Sequence, residues 1–180
     1  MNIIIETERL LLRTFTEEDA NLVYYLNNDP DVTRYTGDPV RDEMHALEVL
    51  QKAIIPQYTL YGHGRWAVHT KQAAGPITNG FIGWCGLKMR PEINEIDLGY
   101  RFIKSSWGKG YATEAAAASL RYGFEKLGIK RIVGRALPGN LASIRVLEKC
   151  GMIYVGEEVI EAMLHKTFEA LNPLIPGMGR

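Results

Sequence analysis

This sequence has few cysteines, no net charge and no long apolar run. Only Cys85 and Cys150 occur among the 180 residues, too few for a disulfide framework or a four-cysteine metal site, and the four histidines show no metal-ligand spacing. Lys and Arg (21) balance Asp and Glu (21), so nothing in the charge favours nucleic acid or an anionic membrane as a partner. No apolar run of about 18 residues occurs, and the opening segment reaches a charge before a signal-length apolar core forms. We therefore expect a cytoplasmic protein without a metal site.

The remaining composition is that of one folded domain. Hydrophobic residues make up 46% of the chain and charged residues 23%, which fits a globular protein rather than a disordered one. A length of 180 residues is enough to bury a core without disulfides or metal. No internal repeat, low-complexity tract or linker interrupts the chain, so residues 1–180 are expected to form a single domain.

The first third of the sequence predicts a strand region followed by two helices. Ile3 to Phe15 is rich in Ile and Leu, which predicts one strand or a pair joined at Glu6 to Glu8. A helix follows and ends near Asn27-Asn28-Asp29-Pro30. A second helix is expected from Asp42 to about Ile55, where Pro56 stops it.

The rest of the chain predicts most of the sheet. Glu95 to Ile103 alternates between apolar and polar residues, which is typical of a strand with one buried face. Ala112 to Leu127 is alanine-rich, with apolar residues at helical spacing, so we expect a helix there. Met152 to Glu157 and Lys166 to Leu171 favour strands, but Val159 to Leu171 also fits a helix. The other expected elements are strands at Arg65 to Thr70, Phe81 to Leu87 and Arg131 to Leu137, a turn at Lys71 to Gly80, and a helix at Leu141 to Lys149.

The strand at Leu98 to Ile103 passes through a short turn into the alanine-rich helix, at Trp107 to Glu114. Such a helix start leaves several backbone N–H groups unpaired at the positive end of the helix dipole, where an anion binds well. Gly108 and Gly110 allow a pyrophosphate to approach the backbone closely. A Gly-x-Gly turn whose only role is to begin a helix has the same sequence pattern. An anion-binding turn and a simple helix start therefore both stay open as interpretations of this segment alone.

Two familiar nucleotide-binding loops do not match these letters. A Walker A loop needs Gly-x-x-x-x-Gly-Lys-Ser/Thr, which does not occur in the chain. A dinucleotide fingerprint needs a third glycine, but Thr113 stands in that place after Gly108 and Gly110. ATP or GTP hydrolysis and nicotinamide-dependent oxidoreduction therefore lose support.

The segment Trp107 to Glu114 resembles the pyrophosphate loop with which GNAT superfamily enzymes bind acetyl-CoA. The superfamily pattern is Gln/Arg-x-x-Gly-x-Gly/Ala, and Trp107, Gly110 and Ala112 stand at its defined positions. Tryptophan at the first position is usual for the ribosomal-protein-alanine acetyltransferase branch, which the sequence resembles over residues 1–157. The further matching blocks are Glu6 to Phe15, Asn28 to Pro30, and Asn140 to Met152 with its Asn-x-x-Ser start.

This resemblance implies the GNAT fold, an α+β architecture in which a mixed, mostly antiparallel sheet is flanked by helices. The sheet is expected to splay open between its fourth and fifth strands, the Leu98 strand and the Arg131 strand, where acetyl-CoA enters. Asn140 is implied to bind the pantetheine arm, although its position is also that of a good helix N-cap. A main-chain N–H of Tyr100 or Phe102 is expected to hold the thioester carbonyl. The implied cofactor-binding residues are Tyr100, Phe102, Ile103, Trp107, Gly108, Lys109, Gly110, Tyr111, Ala112, Thr113, Asn140 and Ser143.

The catalytic residues are less clearly marked. Asp97 is the first candidate for the general base and Glu95 the second, because alternation puts both carboxylates on the polar face of the cofactor strand. Water is a possible relay, the branch usually has glutamate at the position of Asp97, and a merely solvated carboxylate is an equally good interpretation of each. Many members use a tyrosine as general acid, but the matching position is Leu147 here. That leaves Ser143, which also suits helix capping, or no dedicated acid.

The implied function is acetyl-CoA-dependent N-acetylation of a primary amine, on a protein N-terminus or a small molecule, by direct attack in a ternary complex. One alternative is a non-catalytic acyl-CoA-binding module. Another is an unrelated phosphate-binding α/β protein. The two early helices and the variable C-terminal tail are expected to select the acceptor, and the protein is expected to be a monomer or a homodimer.

Overall fold

The computed structural model describes residues 2–72 and 80–176, and in this part of the chain eight strands form one sheet with helices on both faces. The strands are β1 (Ile3–Glu6), β2 (Leu10–Arg13), β3 (Arg65–Thr70), β4 (Phe81–Arg90), β5 (Glu95–Phe102), β6 (Arg131–Ala136), β7 (Ile153–Ile160) and β8 (Met163–Leu171). The helices are α1 (Ala20–Asn27), α2 (Pro30–Thr33), α3 (Glu43–Val49), α4 (Ile55–Tyr61), α5 (Tyr111–Glu125) and α6 (Leu141–Lys149).

The sheet has the strand order β1-β2-β3-β4-β5-β6-β8-β7. Each neighbouring pair is antiparallel except β5 and β6, which run parallel. This parallel pairing covers only Asp97 with Val133 and Leu98 with Gly134, whereas β4 pairs with β5 along the whole of β5. The expected α+β fold and its splayed sheet are therefore confirmed. The splay lies between β5 and β6 rather than the fourth and fifth strands, because the opening segment forms two strands.

Each face of the sheet carries its own apolar core. On one face, Leu98 and Phe102 of β5 join a cluster that includes Leu147 of α6 and the inner side of α5. A second cluster joins α1 and α3 to the other face. The polar residues of β5 project to that second face, where Arg101 donates to Asn27 of α1. The alternation predicted for this strand is confirmed, and it fixes which side chains of β5 meet the early helices.

The helix that was expected to stop at Pro56 continues through it. α3 passes into a π-helical turn at Leu50–Ile54 and then into α4, in which Pro56 lies in the first turn. In the π turn the N–H of Ile55 donates to the carbonyl of Leu50, five residues back. This wider turn accommodates a residue that has no N–H of its own. The predicted stop is wrong, and Gly62 ends the helix at a φ of 74°.

The end of the chain forms a hairpin of β7 and β8 at the edge of the sheet. Its turn contains Glu161 and Ala162, whose positive φ values of 50° and 63° suit a tight two-residue hairpin. The strands favoured at Met152 to Glu157 and Lys166 to Leu171 are confirmed and are longer than expected. The helical alternative over Val159 to Leu171 is wrong.

Other elements lie close to their expected bounds. β3 and α6 have the predicted limits, β4 extends to Arg90, and α5 begins one residue early at Tyr111 and ends at Glu125. The turn expected at Lys71 to Gly80 falls mostly outside the described residues.

Gly83 of β4 sets the close approach of β4 to β5. A Cβ at this position would lie 2.1 Å from the carbonyl oxygen of Arg101 and 2.7 Å from Cα of Phe102, and φ of Gly83 is +145°. Gly83→Ala combines a backbone collision with a conformation that favours glycine, so we expect the free energy of unfolding to fall by at least ~3 kcal/mol. Equilibrium denaturation in urea measures the change.

Gly156→Ala is the matched control for this variant. Gly156 has nearly the same φ, +144°, but no atom of the described residues lies within 4 Å of the added Cβ. It isolates the conformational cost, which we expect to be about 1–2 kcal/mol. Equal losses in the two variants would contradict the collision argument.

Candidate functional site

The gap between β5 and β6 presents backbone donors of β5. The N–H of Ile103 donates to the carbonyl of Ile82 on the β4 side at 2.9 Å. Because N–H groups alternate sides along a strand, those of Tyr100 and Phe102 point away from β4 and into the gap. β6 pairs with β5 only as far as Leu98, so an extended ligand can add here as a strand would. The N–H of Ile103 is already used by β4, so that residue offers only its side chain to a ligand.

Trp107 lies at the far end of this gap. Its indole N–H donates to the carbonyl of Phe102 at 2.8 Å, and its ring is exposed. Trp107 therefore ends the ladder of β5 in addition to standing at the first position of the predicted pyrophosphate loop. The carbonyl of Phe102 is taken by this bond, which leaves the N–H of Phe102 and both main-chain groups of Tyr100 for a ligand.

The turn from Trp107 to Tyr111 is shaped to bind an anion. Gly108 and Gly110 have positive φ values of 73° and 80°, and no described atom lies within 4 Å of a Cβ placed on Gly108. Gly110 is the N-cap of α5, and no side-chain hydrogen bond caps it among the described residues. The first-turn N–H groups, including those of Ala112 and Thr113, are thus available to a ligand that the helix dipole favours. These residues fit a pyrophosphate.

Residues from the β1–β2 turn hold this anion-binding turn in place. Arg9 donates from Nε to the Glu114 carboxylate at 2.6 Å and from Nη1 to the carbonyl of Lys109 at 2.9 Å. Its guanidinium lies over the ring of Tyr111, 4.7 Å from the centroid. The hydroxyl of Thr7 also donates to Glu114, at 2.6 Å. No local pattern in the sequence reveals these contacts, because Arg9 and Glu114 are 105 residues apart.

Asn140 and Ser143 begin α6 on the other side of the gap. Oδ1 of Asn140 accepts from the N–H of Ser143 at 3.1 Å, so the N-cap interpretation of Asn140 is confirmed. The cap occupies only the amide oxygen, and the amide nitrogen can still serve a ligand. Tyr100 donates from its hydroxyl to the carbonyl of Ser143 at 2.8 Å, and its Oη lies 3.0 Å from Oγ of Ser143. Burial raises the pKa of this phenol, so Tyr100 stays protonated while it joins β5 to α6.

Asp97 and Glu95 lie on the polar face of β5, and both are ion-paired. Nη2 of Arg65 donates to Oδ2 of Asp97 at 2.6 Å. Glu95 pairs with Arg131 at 2.7 Å and with Arg135. Burial raises the pKa of Glu95, but hydrogen bonds from Arg135 and Arg131 lower it, and the net shift is downward. The Glu95 carboxylate in this state suits ion pairing better than accepting a proton near neutral pH.

Arg135 is the centre of a cluster of charged side chains where β6 separates from β5. Only 8% of its side chain is exposed, and it pairs with Glu95 and Glu158. Its Nη1 lies 3.9 Å from Oδ1 of Asp97 and has no hydrogen-bond partner in the described part of the chain. The cluster places both candidate bases beside the opening of the gap.

Trp84 of β4 lies between two guanidinium groups on the same face of the sheet. The Cζ atoms of Arg65 and Arg101 are 4.9 Å and 5.5 Å from its ring centroid. Arg65 also covers Gly99, where a Cβ would lie 2.5 Å from Nη2 of Arg65. The absence of a side chain at Gly99 allows Arg65 to reach Asp97. The sequence alternation shows that these residues share a face, but it does not reveal their pairing.

Nucleophilic cysteine chemistry finds no support at this site. Burial raises the pKa of the Cys85 thiol to about 12 and that of Cys150 to about 11, which disfavours a thiolate.

Within residues 2–72 and 80–176, no group of three or more His, Cys, Asp and Glu side chains is arranged to hold a metal ion. No described helix is long and apolar enough to cross a membrane.

Comparison with known proteins gives a consistent result. A family model described as an acetyltransferase (GNAT) domain matches residues 9–153. The Bacillus subtilis protein YkkB, named as uncharacterized, is 38% identical over 152 residues, which cover 82% of this chain and 84% of that protein. The Bacillus licheniformis protein p20, named as an uncharacterized N-acetyltransferase, is 35% identical over 144 residues, covering 78% and 77%. A GNAT-family acetyltransferase structure from Bacillus anthracis superposes with a TM-score of 0.78 at 27% identity, covering 96% of this chain and 99% of that one.

Replacement of Glu95 tests whether this carboxylate supports the fold. Its pKa is lowered in the folded state, so its contribution to stability is present above the unfolded-state pKa and is lost as pH falls through the folded-state value. Glu95→Gln is expected to lower the free energy of unfolding by about 2 kcal/mol at pH 7. The difference from the wild type should shrink as pH falls below 4.5, the ordinary pKa of a glutamate carboxyl group. Urea denaturation at a series of pH values measures it.

Glu92→Gln is the control for this series. Glu92 pairs with Arg90 at 3.3 Å on the surface of the β4–β5 turn, and its side chain is 61% exposed. We expect no measurable change in stability from this variant. A Glu95→Gln protein as stable as the Glu92→Gln protein at pH 7 would show that the Glu95 ion pairs do not support the fold.

Proposed function

The chain belongs to the acetyltransferase (GNAT) domain family and is an N-acetyltransferase, and we propose that it moves the acetyl group of acetyl-CoA to a primary amine by direct attack in a ternary complex. The observation that carries the proposal is the one-sided pairing of β5, which turns the N–H groups of Tyr100 and Phe102 into a gap that ends at an anion-binding turn. An extended, phosphate-bearing thioester matches that combination. The raised thiol pKa values of both cysteines support direct attack rather than an acyl-cysteine intermediate.

Acetyl-CoA supplies an acetyl group activated as a thioester. We assign its pyrophosphate to the N–H groups at Gly108 to Thr113, with Trp107 and Lys109 in the same turn. The pantetheine arm is assigned to the gap, between β5 and the amide of Asn140 on α6. A main-chain N–H of Tyr100 or Phe102 then stabilises negative charge on the thioester carbonyl oxygen during attack.

For proton removal from the amine we propose Asp97, acting through water. Its carboxylate lies beside the opening of the gap but is held by Arg65 at 2.6 Å. A carboxylate fixed by an ion pair orients a water molecule well, and the water takes the proton of the amine while it passes a proton to the Asp97 carboxylate. The second candidate, Glu95, is assigned to holding Arg135 and Arg131.

For the departing thiolate we propose Ser143 as the nearest proton donor. Leu147, at the position of the usual tyrosine, is buried in the core with 1% exposure and has no proton to give. The hydroxyl of Ser143 lies at the start of α6, 3.0 Å from Oη of Tyr100. Because a coenzyme A thiol leaves readily, the loss of this donor should slow the reaction without abolishing it.

The acceptor remains either a protein N-terminus or a small-molecule amine, and we propose that the early helices select it. The early helices reach the polar face of β5 through Arg101, which donates to Asn27 of α1 and to Thr36 and Asp38 in the segment after α2. The ribosomal-protein-alanine acetyltransferase branch is proposed from Trp107 and the flanking sequence blocks. A cytoplasmic location and a monomeric or homodimeric state stay predictions.

Calorimetric titration with acetyl-CoA, with ATP and NAD as controls, tests the cofactor site. We expect saturable binding of acetyl-CoA alone. Gly110→Val should weaken it by more than about tenfold, because a β-branched residue resists the φ of 80° and crowds the anion-binding turn. The thermal midpoint monitors folding. Unchanged affinity in a folded Gly110→Val protein would refute the assignment of the turn.

Turnover with an amine library tests the catalytic assignments. Asp97→Asn should lower kcat by about a hundredfold, and Ser143→Ala by about tenfold, with acetyl-CoA affinity changed less than about threefold in each. Release of the coenzyme A thiol measures the rate, and Glu92→Gln serves as the control. If neither variant alters kcat, the catalytic assignment fails. If the wild type binds acetyl-CoA but acetylates no amine, the non-catalytic alternative is favoured.

A further inference from the structure

We infer that Arg9, on the β1–β2 turn, is a cofactor-binding residue whose guanidinium donates directly to the pyrophosphate of the cosubstrate. The inference rests on the proposed function, because it needs a pyrophosphate at the start of α5. It adds to the site a cation that comes from the opposite end of the chain, outside the family's loop pattern at residues 107–112.

The position of the guanidinium carries the argument. Arg9 is fixed by Nε on Glu114 and by Nη1 on the carbonyl of Lys109. Its Nη2 makes no hydrogen bond to any described residue, and it lies 3.4 Å from the place where a Cβ of Gly110 would be. Gly110 is the N-cap of α5. The two N–H groups of Nη2 therefore lie beside the N–H groups that the anion is expected to use.

The partial exposure of the Arg9 side chain also supports a contact with the pyrophosphate. Its side chain is 44% exposed although three of its neighbours contact it, whereas its partner Glu114 is only 18% exposed. Nε and Nη1 each make one hydrogen bond, and Nη2 lies between them in the planar guanidinium with both of its N–H groups unused by the described residues. Such N–H groups suit the oxygens of a phosphate, to which arginine forms strong charge-assisted hydrogen bonds.

Electrostatics give a second reason for a cation at this position. Glu114 lies in the first turn of α5, and its carboxylate would repel a pyrophosphate bound there. Burial raises the pKa of Glu114, but hydrogen bonds from Thr7 and Arg9 lower it with a net downward shift, so the group is ionised. Arg9 neutralises this charge at 2.6 Å. A site that must bind an anion thereby avoids an uncompensated negative charge next to it.

The alternative is that Arg9 only fastens the β1–β2 turn to α5. The two roles differ in their dependence on Glu114 and on salt. Glu114→Gln weakens the same link between the turn and α5 but keeps the guanidinium. A fastening role therefore predicts a loss of acetyl-CoA affinity in both variants, whereas a phosphate contact predicts it for Arg9→Gln alone, with a smaller dependence on salt. S-acetylpantetheine has the thioester and the pantetheine arm but lacks the whole 3′-phosphoadenosine diphosphate, so it reports whether the rest of the gap is intact.

Calorimetric titration of Arg9→Gln and Glu114→Gln with these two ligands tests the inference. We expect the affinity of Arg9→Gln for acetyl-CoA to fall by at least about tenfold, and its affinity for S-acetylpantetheine to change less than about twofold. The loss with acetyl-CoA should also make binding less sensitive to salt, because one ionic contact is gone. Arg90→Gln is the matched control: Arg90 pairs with Glu92 through Nε, at the other end of β5. It should leave both affinities unchanged.

The outcomes separate this inference from the proposed function. If wild-type protein does not bind acetyl-CoA, the proposed function fails. If the wild type binds and Arg9→Gln binds equally well, loses affinity for both ligands alike, or is matched in its loss by Glu114→Gln, only the role of Arg9 is overturned. Thermal denaturation checks that the variant is folded. Should Arg9→Gln not fold, Arg9→Lys carries the same comparison, with a smaller loss that is again expected for acetyl-CoA alone.

Discussion

The whole site depends on the fact that β6 stops pairing with β5 after Leu98, before β5 ends. β5 is held along its full length by β4, so it stays straight after β6 leaves it at Leu98. A strand fixed on one side and unpaired on the other offers a row of backbone donors in known positions. Gly83 permits the close contact between β4 and β5 that this arrangement requires. Tyr100 bridges to Ser143 on the far side of the gap, so the spacing of β5 and α6 is set by a side chain where the ladder no longer sets it.

Charge is distributed differently at the two ends of the gap. At the end near α5, backbone N–H groups and Arg9 create a positive region suited to phosphates. At the other end, arginines and carboxylates are paired with one another around Arg135, so the cluster is rigid and close to balanced in charge. Such an arrangement separates anchoring of the cosubstrate from handling of the amine. A strongly positive surface at the second end would oppose an incoming ammonium group.

Local features of the sequence are sufficient to predict much of this architecture. The alternation of Glu95 to Ile103 and the glycines after Trp107 follow backbone rules that act over a few residues. The family resemblance then identifies this strand and turn as an expected binding site for acetyl-CoA. Pro56 was misjudged because a π-helical turn, which depends on tertiary packing, removed the conflict that a proline normally causes. The pairs Arg9 with Glu114 and Arg65 with Asp97 join distant parts of the chain. No periodicity in the sequence reports such contacts.

The surroundings of Asp97 favour a relay over direct proton abstraction. Arg65 binds its carboxylate on one side, and the guanidinium of Arg65 is itself fixed by the carbonyls of Gly86 and Asp97. Moving the Asp97 carboxylate toward a substrate would therefore break its charged hydrogen bond with Arg65, which is worth about 1.5–3 kcal/mol. A water molecule can cross the remaining distance without that cost. The aspartate side chain is one methylene shorter than the glutamate that the family resemblance leads us to expect here, so the ion pair and the shorter side chain both favour the proposed relay through water over direct contact.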